Sequence, residues 1–201
     1  MNSNKYAAAG WLAVVQAVIF PAAMVIGMIQ GIIGASAFGY TGPIFGPADV
    51  LAIIGTGISI YTLIKFREIL NEQYNFTDIN VLITIAIWWG VLFQLGSIAE
   101  RGVILTIWPI SPVMTAIVNG VYLAFFAIVA GIVDILIGVK LFQIKDELPD
   151  TIKLYAILVL ISGILELTVI LTPLVVLIMI PATSIVLALI FFRAPRKVEF
   201  V

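Results

Sequence analysis

From Gly102 to Val133 no side chain carries a charge, the stretch from Tyr6 to Gly34 is equally bare, and between residues 154 and 192 the one charge is Glu166. A soluble domain has no means of hiding runs of this length. A bilayer does, because its hydrocarbon core is about 30 Å thick and a helix rising about 1.5 Å per residue needs roughly 20 apolar residues to cross it. Composition agrees, with 63% of residues apolar and 10% charged, where a soluble domain carries about 25% charged residues. Mean hydropathy is +1.23. The sequence therefore predicts an all-α integral membrane protein, one transmembrane domain over residues 1–201 with no soluble domain.

Six transmembrane helices are expected, at about 6–34, 47–66, 78–99, 112–142, 152–171 and 173–192, with five as the alternative. The first stretch exceeds the hydrocarbon thickness and must tilt, bend near Pro21 or protrude. A cleaved signal is its rival reading, with Pro21-Ala22-Ala23 as the cleavage region, but the run stays apolar well beyond that point. Residues 34–46 hold four glycines and a proline and read as a loop. Pro47 suits a first helical position and Asp49 the positive end of the helix dipole. This second helix is expected to continue from Lys65 through Phe66-Arg67-Glu68-Ile69-Leu70. Thr77-Asp78 offers a cap for the third. Pro109 and Pro112 divide the long uncharged run, so 102–111 is expected as an outer re-entrant or interfacial segment and 112–142 as the fourth helix. Leu148-Pro149-Asp150-Thr151 reads as a stop and a new cap. The turn at Thr172-Pro173 must be tight; if 173–181 is instead an outer segment, the sixth helix begins at Pro181.

Six crossings place Lys5, Lys65, Arg67, Lys140, Lys145, Lys153, Arg193, Arg196 and Lys197 on one side and Arg101 alone on the other. That asymmetry predicts both termini on the cytoplasmic side of the cell membrane. The glycosylation pattern Asn75-Phe76-Thr77 falls on that same side and reads as coincidence. An offset of 75 aligns Ala52, Ile53, Ile60, Lys65, Ile69 and Glu72 with Ala127, Ile128, Ile135, Lys140, Ile144 and Glu147, a weak repeat that relates two inward-looped hairpins.

Lipid gives no hydrophobic drive for helices to associate, so close approach needs small residues at four-residue spacing. Rows of this kind are Ala9, Ala13, Ala17; Ala23, Gly27, Gly31, Ala35; Ala116, Gly120, Ala124; and Ala127, Gly131. One of them, most naturally on the first helix, is a candidate subunit interface; the plainer reading is packing within one bundle.

Ionisable groups inside a membrane cost several kcal/mol against lipid, about 2.5 to 3.5 on insertion scales, which makes Glu166 and Asp134 the candidates for function. Counted from the helix ends, Glu166, Gln94 and Asn119 fall at nearly one depth, about 9 Å inside the outer surface. Together they can line an outward-opening ligand or ion site, or bond across the bundle as structural glue. Asp134 shares a face with Ala127, Gly131 and Gly138, so a helix packed there meets it; Lys65 is its expected ion-pair partner. Trp88 and Trp89 point about 100° apart, one expected in the core and the other towards lipid or another subunit.

With no Cys and no His, thiolate chemistry, disulfides, haem imidazole and His-containing zinc sites are excluded. No phosphate-binding loop, nucleophile elbow or Asp-rich metal motif is present. No enzymatic activity, cofactor, metal or nucleic-acid partner is expected. The first reading is a non-catalytic membrane protein that acts through assembly, as a homo-oligomer or an accessory subunit of a membrane complex. The alternative is a protein that binds or transports a small solute or ion at Glu166, Gln94 and Asn119.

Overall fold

The computed structural model describes residues 5–37, 46–107, 112–143 and 148–194. Six helices follow one another: α1 (Ala7–Ala37), α2 (Pro47–Tyr74), α3 (Asn80–Ile107), α4 (Pro112–Gln143), α5 (Asp150–Leu167) and α6 (Thr172–Arg193), the last containing a π-helical stretch at Val175–Met179. Among the described residues there is no strand. Each helix packs on the next, and α6 packs on α1, so the six form a ring in chain order.

Both ends of the described chain lie at one end of this ring. Lys5 Nζ bonds Glu72 at 2.8 Å, Arg67 Nη1 donates to Thr84 Oγ1 at 3.4 Å, and the Tyr6 and Phe191 rings stack with centroids 6.4 Å apart. The core gathers there too: Phe66, Ile69, Leu70, Ile79, Ile83, Leu141, Ile152 and Phe191 are almost fully buried, and the Phe66 ring meets Tyr155 edge-on at 4.9 Å. This end carries most of the basic residues and is called the basic end below.

Local chemistry sets most boundaries. At the start of α2, the Gly46 N–H donates to Asp49 Oδ2 at 2.8 Å, and Pro47 occupies the first turn, where its missing donor costs nothing. The helix runs past Leu70 to Tyr74, as Phe66, Ile69 and Leu70 bury themselves in the core. It stops at Asn75, which adopts a left-handed conformation (φ 49°) while the Phe76 N–H returns to the Leu70 carbonyl at 3.0 Å. Asn is among the few residues that accept this conformation readily.

Two expectations need correction. The segment 102–111 does not form a separate outer element over 102–107, because α3 continues unbroken to Ile107. Gly102 alone costs a helix about 1 kcal/mol, too little to end it. Residues 108–111 lie outside the described residues. The fifth helix closes at Leu167 rather than 171. Thr168 donates its hydroxyl to the Leu165 carbonyl at 2.7 Å, and Val169 turns left-handed at φ 58°. The chain re-enters a helix at Thr172-Pro173, so residues 173–181 belong to the sixth helix.

Five of the helices contain spans long and apolar enough to cross a membrane: Ala7–Gln30, Pro47–Tyr74, Asn80–Glu100, Ile117–Gln143 and Thr172–Arg193. α5 is the exception. Its 18 residues include Asp150, Lys153 and Glu166.

The shortness of α5 has a geometric consequence. Its last residue lies opposite Gly131, where a methyl group placed on the glycine would come within 3.1 Å of the Leu167 nitrogen. Residues 112–130 of α4, about 28 Å of helix, therefore rise beyond the end of α5. In that region α4 rests on α3 through Trp89, Phe93, Tyr122 and Phe126, while Val113, Ile117 and Val121 on α4 are 70%, 54% and 64% exposed.

Candidate functional site

The small-residue rows are mostly consumed within the chain. Ala9 and Ala13 are buried, and between them Gly10 lies under Phe192 of α6, whose ring would be 2.6 Å from an added methyl group. Ala17 is half-buried, Ala23 is buried, and Gly27 faces Ala48 of α2. Ala127 is buried, and Gly131 meets Gly163 of α5 backbone to backbone. Gly120 differs: nothing lies within 4 Å of a methyl group placed on it, and it sits in the part of α4 that rises beyond α5, one turn before the half-buried Ala124. The side chains at positions 31, 35 and 116 lie outside the described residues.

The three polar residues expected at one depth are not brought together. Gln94 turns to α2, where its Nε2 donates to Thr56 Oγ1 at 2.7 Å and to the Ala52 carbonyl at 3.3 Å. The Thr56 hydroxyl in turn donates to that carbonyl at 2.9 Å. Glu166 lies beside Gly131, its Cβ 3.2 Å from the position of an added methyl group. Asn119 stands twelve residues earlier on the same helix, about 18 Å away along its axis. Depth counted from the ends of spans assumes that all helices reach the same level, and α5 does not.

Asp134 and Lys65 are not an ion pair either. Lys65 Nζ is held by both carboxylate oxygens of Glu68, each at 2.9 Å, one turn along its own helix. A three-residue spacing on one helix closes this pair without help from tertiary structure. Asp134 faces α5, as its position in the small row requires, because Gly131 and Gly138 let α5 approach. A methyl group on Gly138 would lie 2.8 Å from Leu160 Cβ and 3.0 Å from the Ala156 carbonyl oxygen. Tyr155 and Glu166 stand on the α5 side of this contact, Tyr155 next to Ala156 and Glu166 beside Gly131. Glu166 Oε2 is closed off from solvent and has no hydrogen-bond partner. Asp134 on α4 and Glu166 on α5 thus both lie along the α4–α5 hairpin, Glu166 at the level of Gly131.

Aromatic residues wall the neighbouring α3–α4 contact. Trp89 packs on Phe126 with centroids 4.6 Å apart and donates its Nε1–H to the Phe126 carbonyl at 3.3 Å, while Trp88 points outward, 63% exposed. Tyr122 donates to the Phe93 carbonyl at 2.6 Å. The division between the two tryptophans follows the 100° step of the helix.

Sequence reasoning passed over Tyr155, whose only local mark is a polar tip on an otherwise apolar helix. It also passed over a cavity of about 230 Å³ at the basic end, lined by residues of the α2 terminus, the start of α5 and the end of α6. None of these segments carries a motif. No known protein family, curated protein or solved structure matches the chain.

Proposed function

We propose that the chain is a polytopic membrane protein of the cell membrane, with its basic end at the cytoplasmic surface, and that it acts without catalysis through assembly, as a homo-oligomer or as an accessory subunit. Large apolar side chains directed outward, including Trp11, Val18, Val81 and Trp88, support a lipid-facing surface; on a soluble protein so much exposed apolar area would drive aggregation. Connectivity supports six crossings. α4 and α6 both run towards the basic end, so α5 has to return the chain, and its 18 residues span about 27 Å, close to the hydrocarbon thickness.

One observation carries the assembly reading. Among the described small residues spaced for close helix approach, those of α1 and the lower part of α4 are buried or half-buried against neighbouring helices, whereas Gly120 lies open on a stretch of α4 that no described helix covers on the α5 side. Small residues at an uncovered helix face let a partner helix approach closely. The test is the mass of the protein in mild detergent, measured for the wild type, Gly120→Leu and Gly57→Leu. Gly57 on α2 is equally open but stands in no such row. An oligomer that Gly120→Leu splits and Gly57→Leu leaves intact is the expected result. A monomeric wild type with no co-purifying partner overturns the reading.

A second reading, binding or movement of an ion or proton, is supported by the Asp134 and Glu166 carboxyls on the α4–α5 contact. It no longer involves Gln94 or Asn119. Glu166→Gln keeps the shape and removes the charge; binding or uptake unchanged in that variant would mark Glu166 as a packing element.

A further inference from the structure

The cavity at the basic end joins three segments that are distant in sequence. Gln73 comes from the last turn of α2, Asp150 and Thr151 from the first turn of α5, and Arg193 from the last residue of α6; Ile69 and Ile190 supply apolar wall. Its volume of about 230 Å³ lies below the roughly 300 to 1,000 Å³ usual for metabolite pockets, which restricts an occupant to something the size of a headgroup.

The polar groups restrict it further. Arg193 is exposed and offers a planar set of donors suited to a phosphate. Asp150 has a fully exposed side chain with one oxygen 3.4 Å from Lys153 Nζ, which leaves acceptor capacity for a second cation. Gln73 Oε1 is buried and has no hydrogen-bond partner, and a buried acceptor left unmet is costly, so a donor that reaches this amide is favoured. An anion alone would satisfy Arg193 and be repelled by Asp150. A cation alone would do the reverse.

Resting on the membrane reading above, which places this cavity at the cytoplasmic surface, we propose that it binds the headgroup of a primary-amine phosphodiester: the phosphate at Arg193, and the ammonium N–H groups at Asp150 and the Gln73 carbonyl. The same chemistry is available from a phosphatidylethanolamine lipid and from soluble glycerophosphoethanolamine. Phosphatidylcholine lacks an N–H to donate, and phosphatidylglycerol lacks the positive charge, so these two lipids separate N–H donation from charge in the ammonium half of the recognition, and Arg193 variants test the phosphate half.

The experiment is native mass spectrometry of the full chain after exchange into equimolar mixtures of the three lipids. Retention of phosphatidylethanolamine at least about five-fold above the other two is expected, a difference of about 1 kcal/mol by the usual conversion. Gln73→Leu should abolish the preference, and Arg193→Gln should lower retention of all three lipids together. Gln73→Glu, which keeps an acceptor, should retain the preference, and Arg193→Lys, which keeps the charge, should retain binding; thermal unfolding midpoints close to wild type establish that each variant is folded. Equal retention of all three lipids by the wild type, an unchanged preference in Gln73→Leu, or unchanged total retention in Arg193→Gln overturns the proposal. Where the preference holds, displacement by glycerophosphoethanolamine assigns it to the headgroup alone, and resistance to displacement assigns it to the intact lipid. Alkaline carbonate extraction separates the two levels of inference. A chain that stays in the membrane pellet but shows no headgroup preference refutes the cavity site only, and a chain released by carbonate refutes the membrane reading.

Discussion

Gly131 and Gly163 touch backbone to backbone across the α4–α5 hairpin: a methyl group on either would lie within 2.7 Å and 2.6 Å, respectively, of the other's carbonyl oxygen. Neither contact involves the flexible end of a side chain, so neither can relax without moving a helix. Gly131→Ala and Gly163→Ala should each destabilise the protein by about 1 to 3 kcal/mol, the usual range for overpacking. Gly57→Ala, with open space around it, should be neutral or slightly stabilising. Thermal unfolding in detergent compares the three, and a Gly131→Ala protein as stable as wild type would mean that the two helices do not meet here.

Val169 occupies the left-handed region at φ 58° in the turn between α5 and α6. A β-branched residue is strained there and glycine is not, with a difference of about 1 to 3 kcal/mol for such conformations. Val169→Gly should therefore raise the unfolding midpoint. Val169→Ala, which keeps the Cβ, should recover less of the difference.

Trp88 and Trp89 should be distinguishable by lipid-borne quenchers. In proteins that retain a single tryptophan at one or the other position, brominated lipid should quench Trp88 strongly. Trp89, packed between Phe125 and Phe126, should be protected. Equal quenching would place both rings at the lipid surface and break the α3–α4 contact described above.

The contact between the start of α1 and the end of α2 should weaken in alkali. Its hydrogen bond to Glu72 raises Lys5 above the ordinary lysine value of 10.5, and partial burial followed by the same glutamate raises Tyr6 above 10.0. A group whose folded-state value is raised contributes its stability in full below the unfolded value and loses it as pH climbs through the folded one. Stability should thus show no change from this cluster at neutral pH and a decline beginning above about pH 10. Lys5→Gln should flatten the part of that decline due to the ion pair.

Reporter fusions test orientation directly. A reporter active only outside the cytoplasm should give signal after residue 42 and none after residue 72 or at the C-terminus. Signal at the C-terminus would remove one crossing, with α5 the element to give up.

The sequence by itself determined the elements whose causes are local. Pro47 and Asp49 opened α2, Pro112 opened α4, and the helical step sent Trp88 and Trp89 to different surroundings. It also determined that something must pack on the row holding Gly131 and Gly138, and that Asp134 would lie beneath it. Tertiary structure alone decided what that something was. A small-residue face accepts any helix of suitable register, and lipid offers no hydrophobic penalty that would make one neighbour better than another. Lys65 found Glu68 on its own helix before it could reach Asp134, and α5 supplied Tyr155 and Glu166 instead. Gln94, equally able to turn towards α4, met Thr56 on α2. The level of Glu166 was beyond reach for a further reason: depth read from a sequence is measured from the helix's own end, and only packing revealed that α5 ends opposite Gly131, some 28 Å below the start of its neighbour.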